Sequence, residues 1–141
     1  MIQEGLYAYL SQNAWVSALV STRIYPIVIP EQAYADATRQ PCLVYSFDGK
    51  ERQVRFSGTD SLVAASVQID CYARTYASAH AVALAVRTAL VDYEGTWTGT
   101  GSPQSSNDIK KVFIENEFDL MDIEPGLYRV SQTYTIWYDE A

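Results

Sequence analysis

Three acidic residues on alternate positions, Glu115, Glu117 and Asp119, are the groups of this 141-residue sequence best spaced for acid–base work or for holding a hard cation. In a strand, residues two apart share a face. The three therefore form one row on the open face of a strand running from Val112 to Leu120, with Asp122 and Glu124 following. Catalytic or metal-binding carboxylates converge from several elements around a concavity, whereas a row along one strand diverges. The row reads as solvated or interfacial charge.

The other candidates carry less. His80 is the only histidine; it falls mid-helix beside an alanine stripe, and a structural role is expected for it. No Gly-x-Ser-x-Gly nucleophile motif is present. The glycines of Gly95-Thr96-Trp97-Thr98-Gly99-Thr100-Gly101 follow a helical pattern and precede a strand, the reverse of the order in a phosphate-cradling loop. Cys42 and Cys71 sit in strand-like runs without a Cys-x-x-Cys or His-rich setting, so they read as small buried hydrophobes. No catalytic residue, metal site or cofactor is expected.

Composition narrows the partners. The net charge is −7, and the ten Lys and Arg never cluster beyond the pair Lys110–Lys111. That argues against a nucleic-acid binder held by phosphate contacts and against docking on anionic lipid. Hydrophobic residues are 48% of the chain, enough for a core in one domain spanning 1–141. Aromatic residues are 13%, mostly tyrosine, which suits both strands and surfaces buried on association. No apolar run approaches the roughly 20 residues of a membrane span, and no signal peptide is expected at Met1-Ile2-Gln3-Glu4.

The elements that must position these groups follow from periodicity. Ile2, Leu6, Tyr9 and Leu10 recur at helical spacing, and Asn13 suits the N-cap of a second short helix with Val16, Leu19 and Val20 inward. Residues 23–29 read as an edge or irregular strand because Pro26 cannot donate to a ladder. Residues 30–41 read as a surface loop. Leu43, Tyr45 and Phe47 alternate with Cys42, Val44 and Ser46, with Asp48-Gly49 as a hairpin turn and a weak return strand through residues 53–56. Residues 62–72 form a firmer strand with one covered and one open face. Thr75 caps a helix whose stripe is Ala79, Val82, Ala83, Val86 and Leu90.

Residues 94–108 read as a long Gly/Ser/Thr-rich loop, with Trp97 either a packing anchor or, with Gly99 and Gly101, part of a docking surface. In the next strand Val112, Ile114, Phe118 and Leu120 share a face that Asn116 interrupts. Pro125-Gly126 marks a turn into a last strand bearing Tyr128, Val130, Tyr134, Ile136 and Tyr138 on one side. The expected fold is α+β: an antiparallel sheet of about four strands with helices packed on one face.

The ordered set Thr22-Arg23-Ile24-Tyr25-Pro26, Pro41-Cys42-Leu43-Val44-Tyr45, Val67 to Tyr76 running into the alanine helix, and Gly126 to Gln132 running into Trp137-Tyr138 resembles the tail-completion, or tail-terminator, proteins of long-tailed bacteriophages and prophages. The resemblance spans the chain and is least at residues 30–41 and 94–108. It implies a non-enzymatic virion protein, made in the bacterial host cytoplasm and resident in the tail. It further implies a homo-oligomeric ring, typically a hexamer, that caps the head-proximal end of the tail tube, contacts the tail tube protein and a neck or head-completion protein, and lets DNA pass without specific binding. On that reading Glu115, Glu117 and Asp119 face the channel. The rival readings are a head–tail connector ring on the capsid side and a small ligand-binding α+β domain.

Overall fold

The computed structural model describes residues 2–21, 23–27, 41–55, 58–98, 106–122 and 127–139. In chain order the elements are α1 (Ile2–Gln12), α2 (Ala14–Val20), β1 (Ile24–Pro26), β2 (Cys42–Arg55), β3 (Gly58–Ala73), α3 (Tyr76–Leu90), β4 (Gly95–Thr98), β5 (Ser106–Asp122) and β6 (Leu127–Asp139). The strands form one six-stranded sheet in the order β1-β2-β3-β6-β5-β4. Its four long central strands alternate antiparallel, β4 continues that alternation, and β1 runs parallel to β2.

The expected α+β class holds, but the sheet has six strands rather than about four. The expected edge strand within residues 23–29 is present as the three-residue β1, whereas β4 arises within residues 94–108, which had read as a loop, because its four residues leave no alternation long enough to read. The expected turn at Asp48-Gly49 is also corrected. β2 runs straight through it, with a register shift between Phe47 and Gly49 that absorbs one residue, and the chain reverses only between Arg55 and Gly58. An Asp-Gly pair serves a bulge as readily as a turn. The long closing hairpin is present as β5 and β6, paired from Asp108↔Asp139 to Asp122↔Leu127. The expected Pro125-Gly126 turn and the residue 30–41 loop lie outside the described residues, apart from Pro41.

All three helices contribute to one core on one face of the sheet. Asn13 accepts the Trp15 and Val16 amides and so starts α2, and the Thr75 hydroxyl accepts the Ser78 amide to start α3. α3 ends at Val91, followed by Asp92 in the left-handed region (φ 62°), whose amide bonds the Val112 carbonyl. Its buried stripe contains four alanines, Ala79, Ala83, Ala85 and Ala89, which bring its backbone close to β3 and β6. Val67, Ile69 and Cys71 of β3 and Val130, Tyr134 and Ile136 of β6 face it from the sheet. A second, smaller cluster of Cys42, Val44 and Tyr72 with Tyr25 lies on the opposite face. Cys42 and Cys71 are thus both buried and unbonded. They occupy adjacent strands, in the pairs Cys42↔Tyr72 and Leu43↔Cys71, but opposite faces of the sheet.

Trp97 is 2% exposed and belongs to the core as a packing anchor. It stacks with Tyr9 and Tyr93 at centroid distances of 5.3 and 5.8 Å. α1 crosses it at Gly5, where an added Cβ would sit 2.8 Å from the Trp97 Cβ. Gly5→Ala should therefore lower stability by about 1–3 kcal/mol through overpacking, read as a shift in urea midpoint with an unchanged slope.

Candidate functional site

The acidic strand segment is the place where the sequence concentrates unusual chemistry, and the structure rearranges it. β5 and β6 pair Val112↔Ile136 and Ile114↔Tyr134, then slip, so that Asn116 meets Thr133 and Glu117 meets Gln132. Glu115 is the inserted residue of this bulge and is exposed. A one-residue insertion exchanges the faces of everything after it. Val112 and Ile114 therefore face the helices, as expected, but Phe118 and Leu120 move to the other face and are exposed.

Glu117 and Asp119 move in the opposite sense. They pair with the buried Gln132 and Val130 and point to the helix side, so the expectation of one row on the open face is corrected. Arg87 of α3 lies 3.3 Å from Glu117. Asp119 accepts the Tyr76 hydroxyl at 2.7 Å and stands 3.1 Å from His80 Nε2. His80 is a partner of Asp119 at the surface of α3, consistent with a structural role.

Behind Glu117 runs a polar chain that the sequence reading missed. Gln132 is fully buried; its Nε2 donates to the Ala83 carbonyl at 3.0 Å and to Glu117 Oε1 at 2.8 Å. The Tyr134 hydroxyl donates to Gln132 Oε1 at 2.9 Å. Every polar atom of the Gln132 amide is thus engaged, and the chain Tyr134–Gln132–Glu117–Arg87 ties α3 to two strands. The sequence did carry a signal: Gln132 breaks an otherwise apolar face of β6, as Asn116 breaks that of β5. Burial pushes the Tyr134 hydroxyl well above its ordinary range, so it remains a donor.

Glu117 and Asp119 are engaged by neighbours, and no group of three His, Cys, Asp or Glu that could hold a metal occurs among the described residues. The Cys42 thiol is pushed up to about 12 by burial, and burial raises Cys71 as well, which disfavours the thiolate of each. A separate apolar recess of about 430 Å³ lies between the start of α1 and the β1–β2 edge, walled by Tyr7, Ile27, Tyr45 and Phe47. Ile27 is 78% exposed there. Of the proposed docking set, Trp97 is buried in β4, while Gly99 and Gly101 lie outside the described residues. No helix among the described residues is long and apolar enough to cross a membrane.

Comparison with known proteins is consistent with an assembly role. The model of a family described as tail completion protein gp17 matches residues 4–139. Among solved structures, a chain of the virion of a native gene transfer agent particle is similar in fold, with a TM-score of 0.67 and 16% identity over 95% of this chain and 91% of that one. A search of curated proteins found no match.

The hydroxyl of Tyr76, followed by His80, holds the Asp119 carboxyl below its ordinary value. A depressed carboxylate contributes stability that is present above the unfolded value, about 3.9, and is lost as pH falls through the folded one. The stability gap between wild type and Asp119→Asn should therefore be open at pH 6 and close below about pH 4, measured by urea unfolding at each pH. Gln132→Ala should cost about 1–3 kcal/mol at both, because it leaves the Tyr134 hydroxyl without its buried acceptor.

Proposed function

Because the chain belongs to the tail completion protein gp17 family, and is a structural protein of the virion tail, we propose that it caps the head-proximal end of the tail tube as a closed ring, ends tube polymerisation and joins tail to neck. The observation that carries this reading is the extent of the family match, which runs from the first turn of α1 to the end of β6. The partners are further copies of the chain, the tail tube protein and a neck protein, with DNA passing through and no cofactor involved.

Light scattering across a concentration series, with and without purified tail tubes, tests the reading. A species of about 95 kDa, six times the 15.8 kDa monomer, that binds tube ends is the expected result. Binding to filled heads but not to tubes would instead assign a connector ring on the capsid side. Omitting the protein during assembly should yield tubes of uncontrolled length that fail to join heads, scored by electron microscopy.

Channel-facing charge is proposed for Glu115 in particular, since Glu117 and Asp119 hold α3. Like charge near passing DNA reduces sticking. Glu115→Gln, which removes the charge, should then slow genome delivery by assembled particles, and unaltered delivery would remove Glu115 from the channel.

A further inference from the structure

The sheet has two long edges that remain unpaired among the described residues, and they lie at opposite ends of its strand order. β1 covers β2 only from Leu43 to Tyr45, which leaves residues 46–55 open. β4 covers β5 only from Ser106 to Ile109, and the Asp92 amide takes the Val112 carbonyl, which leaves residues 113–122 open. Long open edges of this kind template pairing with another chain unless they are blocked. The β5 edge is flanked by exposed Phe113, Phe118 and Leu120, and the β2 edge opens beside the recess at Ile27 and Phe47.

We propose that residues 113–122 of one copy pair with residues 46–55 of the next, so that the sheet continues from subunit to subunit; this rests on the ring reading above and supplies its interface. Two observations select a second copy as the occupant. β2 and β5 run in opposite directions within the sheet, so copies placed side by side in the same orientation bring the two edges together antiparallel, with the helix faces on one side. In sequence, the β5 edge carries Glu115 and Asp122 beside the helix-bound Glu117 and Asp119, with no basic residue, whereas the β2 edge carries Lys50, Arg52 and Arg55 against Asp48 and Glu51. Such a heterologous contact makes a ring if the rotation closes.

Closure follows from the stagger. The cross-sheet register sets Val44 level with Phe118, so the middle of the open β5 edge is offset from the middle of the open β2 edge by about six residues, or about 20 Å along the strands. The four strands between those edges span about 19 Å. Strands inclined about 45° to the ring axis reconcile the two distances, which falls at the upper end of the tilt of closed barrels.

Amide hydrogen exchange on the wild-type protein, compared between dilute monomer and assembled ring, tests this. Alternate amides of residues 46–55 and 113–122 should exchange rapidly in the monomer and become protected in the ring. A ring in which both segments still exchange rapidly would overturn this interface and leave the ring reading standing. A protein that forms no ring, alone or on tubes, would overturn both. Single prolines at Phe118 and Asp119 give a second readout. One of two successive strand positions directs its N–H outward, so one variant should remain folded yet fail to assemble. Folded variants of both that still form rings would also sink the proposal.

Discussion

The close approach of α3 to the middle of the sheet is the constraint on which the rest depends. Alanines at positions 79, 83, 85 and 89 let the helix backbone come near enough for a sheet side chain, Gln132, to reach the Ala83 carbonyl. A larger residue at 83 would push the helix outward and leave the buried amide unsatisfied, at a cost comparable to a lost core contact. The same approach places Tyr76, His80 and Arg87 over β5, where the bulge has turned Glu117 and Asp119 toward them. Helix packing and strand register are therefore one problem here. The bulge supplies the acids, and the small-residue stripe brings their partners within reach.

Much of this was legible in the residues, and what was not has physical causes. Period-two alternation over residues 62–72 and 127–138 identified β3 and β6 because each has one continuous buried face. Asn13 and Thr75 identified helix starts because their side chains accept specific amides. β5 misled at one point. Simple alternation joins Ile114 to Phe118 and Glu115 to Asp119, and only the register with β6 shows that a residue has been inserted between them. A bulge has no composition of its own; Asn116 was visible as an interruption, but an interruption does not say which way the strand turns afterwards. β4 was too short for a period, and Trp97 looked like a loop residue because Gly, Thr and Ser surround it.

The chemistry was legible chiefly as an absence. Lone His80 and an acidic row along one strand read as structural or interfacial, and the structure breaks that row at Glu115 and sets Glu117 and Asp119 beside Arg87, Tyr76 and His80. What distinguishes the molecule is the arrangement of its surfaces. Among the described residues two sheet edges stop short of being covered, and large apolar residues, including Trp15 at 63% exposure, stand in solvent. Such features are costly for a solitary protein and expected of one that belongs to a particle.

The two cysteines carry a consequence for the life of that particle. They stand on opposite faces of the sheet, buried and unbonded, with burial holding both as thiols. A tail protein is built in a reducing cell and then spends its time in an oxidising exterior. This chain has neither a disulfide for the first to break nor an exposed cysteine for the second to oxidise.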